Sequence, residues 1–212
     1  LAKPQGPRQT DAPRSQKSTR QTIFIELSGR DPRVAAMKLG VIGCGKMGTA
    51  LVAGAVRAGT VDPTQVTGYD PVPDAIQALQ RITGAAAAGS LAELASTTDR
   101  LLLCTRPQEV PGVLATIAAA ATDKPLSVIS IAAGITTSTL ERDLPAGSSV
   151  IRCMPNTPAL VSKGAAAYCA GANATAADLA FAKLLLGSVG LALEVPESLM
   201  DTVTGLSGSG PA

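Results

Sequence analysis

From Met37 onward the sequence repeats one alternation, a short apolar run followed by a stretch with helical spacing. A parallel sheet with helices on both faces accommodates that pattern, because each crossover needs a helix's worth of chain. The runs KLGVIG (38–43), QVTGYD (65–70), RLLLCT (100–105), LSVISIAA (126–133), SVIRCM (149–154), GAAAYCA (164–170) and LALEV (191–195) are predicted strands. Stretches 46–59, 73–82, 110–121, 136–144 and 175–187 are predicted helices. In the first helix Met47, Leu51, Ala55 and Ala58 share one face, and in the fourth Thr136 or Thr137 is the N-cap. The fold class is α/β.

Composition agrees. Hydrophobic residues make up 46% of the 212, but aromatics only 2%, which suits helices lying close on a sheet better than a β-sandwich. The longest apolar stretches, such as VLATIAAAA (113–121), fall short of the roughly 20 residues needed to cross a bilayer, so no membrane partner is expected. Residues 1–36 hold seven Lys/Arg and three Asp/Glu, leaving eleven and thirteen for the rest, a net of −2. With no basic stripe and few aromatics, that part is not expected to bind nucleic acid.

Histidine is absent, which excludes a Ser-His-Asp arrangement and His-ligated zinc within the sequence. Cys44, Cys104, Cys153 and Cys169 have no metal-type pairing and read as buried free thiols of a cytoplasmic protein, with no metal site. Residues 1–36, rich in Pro, Gln, Ser and Arg, read as a disordered tail or as translated upstream sequence, with Met37 the better start and a transit peptide the weaker reading.

GVIGCGKMG places Gly43, Gly45 and Gly48 in the spacing G-x-G-x-x-G, after a predicted strand and at the start of a predicted helix. That is the context of a dinucleotide-binding loop: Gly43 for the tight turn, Gly45 for close approach of a pyrophosphate, Gly48 for helix–sheet contact. Asp70 ends the next strand, where a carboxylate accepts from an adenine-ribose 2′-OH and repels a 2′-phosphate, favouring NADH; its other reading is a solvated turn residue. Near the end, TGLSGSGPA (204–212) reads as a tight turn at Gly208 and Gly210, then a helix start with Ser209 as N-cap and Pro211 in the first turn.

The second half carries further motifs in order: SIAAG (130–134), VIRCMPNTPALVSKGAAAY (150–168) and SVGLALEVPESLMDTVTGLSGSGPA (188–212). Together with IGCGKMG, they resemble the pyrroline-5-carboxylate reductases, over Met37 to Ala212. The resemblance implies a Rossmann-type doubly wound, mostly parallel sheet over 37–196, followed at 197–212 by the stub of an all-helical dimerisation domain. It implies reduction of L-1-pyrroline-5-carboxylate to L-proline with NADPH or NADH, in a homodimer or higher homo-oligomer. Ile42, Gly43, Cys44, Gly45, Lys46 and Met47 would line the pyrophosphate, and Asp70 and Ser90 the adenosine side. Cys104, Thr105, Arg106 and Pro107 match a segment beside the cofactor that usually ends in Lys-Pro, so Arg106 is a departure. Ala132 and Ala133 would approach the nicotinamide ribose, and Glu197 matches a cofactor-side position. Asn156, in MPNTP, either shapes a rigid turn or bonds near the nicotinamide or a pocket loop. The family's proton-relay and carboxylate-binding groups are expected beyond residue 212, so the chain by itself is expected to bind dinucleotide but to turn over poorly. Rival readings are a non-catalytic dinucleotide-binding module and a 3-hydroxyacid or 6-phosphogluconate-type dehydrogenase, against which the absence of Lys in TGLSGSGPA speaks.

Overall fold

A computed structural model describes residues 37–122 and 124–208; the readings of the tail and of Ser209, Gly210 and Pro211 lie outside the described residues. Eight strands form one sheet: β1 (Leu39–Ile42), β2 (Val66–Tyr69), β3 (Ala86–Ala87), β4 (Arg100–Leu103), β5 (Ser127–Ser130), β6 (Ser149–Met154), β7 (Gly164–Ala170) and β8 (Gly190–Glu194). Their order across the sheet is β3-β2-β1-β4-β5-β6-β7-β8. Every neighbouring pair is parallel except β6 and β7, where Cys153 faces Tyr168 in antiparallel register. The reason is connection length: only the turn at Thr157–Val161 lies between those strands, and a parallel return needs a crossover of a dozen residues or more.

The α-helices among the described residues are α1 (Lys46–Arg57), α2 (Pro73–Thr83), α3 (Leu91–Thr97), α4 (Val110–Ala121), α5 (Thr137–Arg142), α6 (Ala176–Gly187) and the short α7 (Met200–Val203). Leu51, Val52 and Ala55 of α1, Leu79 of α2 and Phe181, Leu185 and Leu186 of α6 pack with Val41, Leu102 and Ile151 on one face of the sheet. On the other, Leu94 of α3, Val113, Leu114 and Ile117 of α4 and Leu140 of α5 pack with Leu101, Leu103 and Val128. Each such Val, Leu, Ile or Phe side chain contributes roughly 1.5–3 kcal/mol by leaving water. None of the helices among the described residues is long and apolar enough to cross a membrane.

Three local expectations change. Helix α1 stops at Arg57, so Ala58 is its exposed C-cap rather than a fourth core position. Helix α3 and the two-residue β3 replace what read as connection, because seven helical residues are too few to display a periodicity. Gly208 closes a π-type turn at Thr204–Gly208 instead of a tight turn, and a Cβ there would run 2.5 Å from Met154 Cε. At the other cap in question, Thr136 rather than Thr137 accepts from the Thr139 N–H.

Residues 197–208 pack against β6 and β7. Met200 is fully buried against Ala167 and Cys169. From there the chain passes toward the carboxyl edge, where Ser207 meets Asn156.

Candidate functional site

The chain leaves β1 toward β2 on one side and returns as β4 on the other, so the loops after β1 and β4 diverge at the carboxyl edge and open a crevice between them. Ligands of open α/β sheets bind at such a switch point. Apart from Glu197, every site residue selected from the sequence lies at or just after the carboxyl end of one of the strands β1 to β6.

The three loop glycines have three different surroundings. Gly43 has φ +92°, and a Cβ there would lie 2.8 Å from the carbonyl carbon and oxygen of Cys104 and 3.0 Å from the Thr105 nitrogen. A Cβ on Gly48 would collide with the Gly43 carbonyl oxygen and lie 3.2 Å from Cys104 Cβ, so α1 rests directly on the β4 exit. At Gly45 a Cβ would meet nothing within 4 Å; the backbone fronts open space. Helix α1 starts at Gly45 with no side-chain cap and no acidic residue in its first turn, so its positive end is not neutralised by its own side chains. Lys46 and Met47 are the first residues of that turn. This is a cradle suited to a pyrophosphate.

Asp70 fastens the loop from the side. Its Oδ2 accepts from the Cys44 N–H at 2.7 Å and its Oδ1 from the Val72 N–H at 2.9 Å. A carboxylate has about four acceptor positions, so a ribose hydroxyl still finds one. The Thr49 hydroxyl donates to the Cys44 carbonyl at 2.9 Å. Burial, and then the nearby Asp70 charge, push the Cys44 thiol up to about 12, which keeps it neutral. Cys104 is likewise raised by burial, and Cys153, 1% exposed, is core. None of these thiols is an activated nucleophile.

At the β4 exit, the Cys104 N–H donates to the Ile42 carbonyl at 2.7 Å, extending the β1–β4 ladder by one bond. The next residue, Thr105, carries the one buried side-chain polar atom without a hydrogen-bond partner among the described residues. Arg106 is exposed, and its Nη2 meets Glu109 Oε1 at 2.6 Å across the turn that Pro107 opens. The departure from Lys therefore gives a guanidinium held by a neighbour. Ser90 is the N-cap of α3, accepting from the Glu93 N–H. After β5, Ala132 is buried and its N–H donates to Ser130 Oγ, beside Ala133; Gly134, at φ +74°, then turns the chain toward α5.

Asn156, 8% exposed, shapes structure: its Oδ1 accepts from the Ala165 N–H at 2.9 Å and its Nδ2 donates to Ser207 Oγ at 3.1 Å. Glu197 has the same character. Its oxygens accept from the Thr137 N–H (2.8 Å) and hydroxyl (2.7 Å) and from Arg152 Nη1 (3.3 Å). Burial alone pushes this carboxyl up, but the Thr137 and Arg152 hydrogen bonds outweigh it and hold the group below its ordinary range. Arg152 also bonds Asp201 at 2.6 Å. Glu197 is thus clamped between α5 and β6, and both its oxygens are used by protein donors. Arg152 and Thr137 were not selected from the sequence. The available signal was a lone arginine inside the apolar run SVIRCM, which, once buried, needs carboxylate partners.

Two concavities flank these elements. A groove of about 550 Å³ runs from Cys44, Gly45 and Lys46 along α1 to Arg57, walled by Asp74 and Ala75 of α2 and by Leu160. A second, of about 440 Å³, lies over Cys169, Ala170 and the β8 exit down to Glu197. The first adjoins the glycine cradle, and the second does not.

A family model described as NADP oxidoreductase, coenzyme F420-dependent, matches residues 38–134, from β1 past the β5 exit. A pyrroline-5-carboxylate reductase of Methanosarcina acetivorans is 44% identical over 175 residues, covering 82% of this chain and 64% of that protein. Among solved structures, a pyrroline-5-carboxylate reductase of Coxiella burnetii superposes with a TM-score of 0.77 at 27% identity, over 82% of this chain and 65% of the other. A pyrroline carboxylate reductase of Plasmodium falciparum, determined with NADP bound, gives 0.73 at 30% identity, over 84% and 64%. The chain spans a little under two thirds of the length of each.

Proposed function

The chain belongs to the pyrroline-5-carboxylate reductase family, and on that premise we propose that the protein reduces L-1-pyrroline-5-carboxylate to L-proline at the expense of NADH or NADPH, the last step of proline biosynthesis. The observation that carries this reading is the 44% identity to a reductase of that name across 82% of the chain. The cradle of Gly43, Gly45 and Gly48 fits the group the reaction needs: two of the three positions have no room for a Cβ, and the third fronts open space.

When bound, the reduced nicotinamide supplies the hydride that the imine carbon takes up, while a proton ends on the ring nitrogen and the C=N bond becomes C–N. A protonated imine is already electrophilic, so the chain's task is to hold the donor about 3–3.5 Å from that carbon and to keep water out. Gly45, Lys46 and Met47 would hold the pyrophosphate through backbone N–H groups, together with Ile42, Gly43 and Cys44. Asp70 and Ser90 would border the adenosine, and Cys104 to Pro107 with Ala132 and Ala133 the nicotinamide side. Asn156 and Glu197 act as braces for that wall. The Asp70 carboxylate repels a 2′-phosphate, so NADH is the preferred donor. We assign the protein to the cytoplasm, a reading supported by its four unpaired cysteines, and to a homodimer or higher homo-oligomer without nucleic-acid or membrane partners.

The test is an absorbance assay at the nicotinamide band on the full product of the encoding gene. Oxidation of NADH or NADPH that depends on added L-1-pyrroline-5-carboxylate, with proline as product, is the expected result. Substrate-independent rates with both dinucleotides would overturn the reading and leave a binding module.

A further inference from the structure

A trans peptide is planar, so its C=O and N–H point in opposite directions, and whatever holds the one aims the other. The Cys44–Gly45 peptide, where the chain enters α1, is held in this way. The Thr49 hydroxyl donates to the Cys44 carbonyl at 2.9 Å. That carbonyl is therefore drawn toward α1, and the Gly45 N–H of the same peptide points the other way, out of the helix, with no acceptor among the described residues. A threonine in a helix ordinarily closes on the carbonyl four residues back, as Thr83, Thr97 and Thr116 do. Thr49 reaches five back, past the helix start and into the glycine loop. The loop backbone by itself would let this peptide turn over. Turning it swings φ of the following residue, and that residue is a glycine, to which a positive φ is open. Gly45 stands at φ −65° with nothing within 4 Å of where a Cβ would be.

Resting on the dinucleotide reading above, we infer that Thr49 is a positioning residue for the cofactor: acting through the Cys44 carbonyl, its hydroxyl fixes the loop peptide so that the Gly45 N–H faces the pyrophosphate site before the ligand arrives. Asp70 Oδ2, on the Cys44 N–H at 2.7 Å, fixes the peptide on the other side of the same residue. A donor set in place beforehand needs no ordering when the ligand binds. The two holds differ in what they discriminate. The pyrophosphate is common to NADH and NADPH, so Thr49 serves both alike, whereas the Asp70 charge also acts at the 2′ position. Thr49 is 8% exposed, and a valine there has nearly the same shape without the donor.

The assignment is tested on the 212-residue chain by nicotinamide fluorescence and amide NMR. In Thr49→Val the dissociation constants of NADH and NADPH rise together, each about 3- to 10-fold, the effect of one hydrogen bond, and their ratio stays where it was. The Gly45 amide resonance of the ligand-free variant moves, because its peptide is no longer held. Thr49→Ser, which keeps the hydroxyl, restores both affinities to within about twofold of the parent. One arm needs no variant and so survives a Thr49→Val that fails to fold: in the parent, the Gly45 amide exchanges freely with solvent and becomes protected at saturating NADH. Dissociation constants that hold while the melting temperature of Thr49→Val falls, a serine that restores nothing, or a Gly45 amide left unprotected by saturating NADH would each overturn the assignment and leave dinucleotide binding intact. A parent chain that binds neither dinucleotide would instead overturn the functional reading, and the assignment with it.

Discussion

The two ends of β4 treat polar groups in opposite ways. At the amino edge, Arg100 opens β4 buried on both sides, yet its Nη2 meets Asp178 Oδ1 at 2.7 Å and its guanidinium stacks 4.3 Å from the Phe181 ring. Ser127 donates to the same carboxylate oxygen, and Thr175 donates to the other while capping α6. Burial alone would raise the Asp178 carboxyl, but hydrogen bonds from Thr175 and Ser127 and the Arg100 charge hold it below its ordinary range. Every partner is in place. At the carboxyl edge a helix starts uncapped, a glycine backbone fronts open space, and a buried hydroxyl bonds nothing. A closed network marks structure, and an open one marks a site.

That contrast breaks most visibly at Asp178. Asp178→Ala strips a buried arginine of its partner, and unfolding in denaturant should show a loss of about 3–5 kcal/mol, while NADH affinity stays within about twofold. The reverse pattern is expected of Gly48→Ala. Its Cβ collides with the Gly43 carbonyl, so dinucleotide affinity falls at least about tenfold, while unfolding in denaturant shows a smaller overpacking loss of about 1–3 kcal/mol.

Smaller effects sharpen the distinction. Asp70→Ser removes the charge that opposes a 2′-phosphate, and the ratio of NADPH to NADH dissociation constants should fall about tenfold in paired titrations; an unchanged ratio would mean that Asp70 only fastens Cys44 and Val72. Least in size is the acid response of Glu197. Because its folded pKa is depressed, its stabilising contribution is complete above the ordinary carboxylate value of about 4.3 and is lost as pH falls through the lower folded value. Melting temperature against pH should therefore drop less steeply on the acid side in Glu197→Gln than in the parent.

The elements that sequence reading found are those long enough to show a period, apolar enough to be a buried strand or marked by a cap: every strand but β3, and the helices α1, α2, α4, α5 and α6. It missed α3, whose seven residues are held by Ser90 and by Leu94 in the core, and it missed the reversal of β7, which depends on a turn too short to cross the sheet. The glycine loop was legible because its spacing is local in sequence, and two of its three glycines answer a steric demand. The clamps were not. Arg100 with Asp178 and Arg152 with Glu197 are joined over 78 and 45 residues, so only the arginines' presence in apolar runs hinted that acids must come to meet them. Thr105 was selected by its place in a motif. Its unpaired oxygen is a fact of three dimensions.

The most direct measurement is a titration of the isotopically labelled 212-residue chain with NADH, followed by amide NMR. The expected result is saturable shifts at Gly43, Gly45, Lys46, Met47, Thr105 and Arg106, with Arg100, Ser127 and Asp178 unmoved. Shifts centred on Arg100 and Asp178, or none at any NADH concentration, would contradict a dinucleotide site at the β1–β4 switch point.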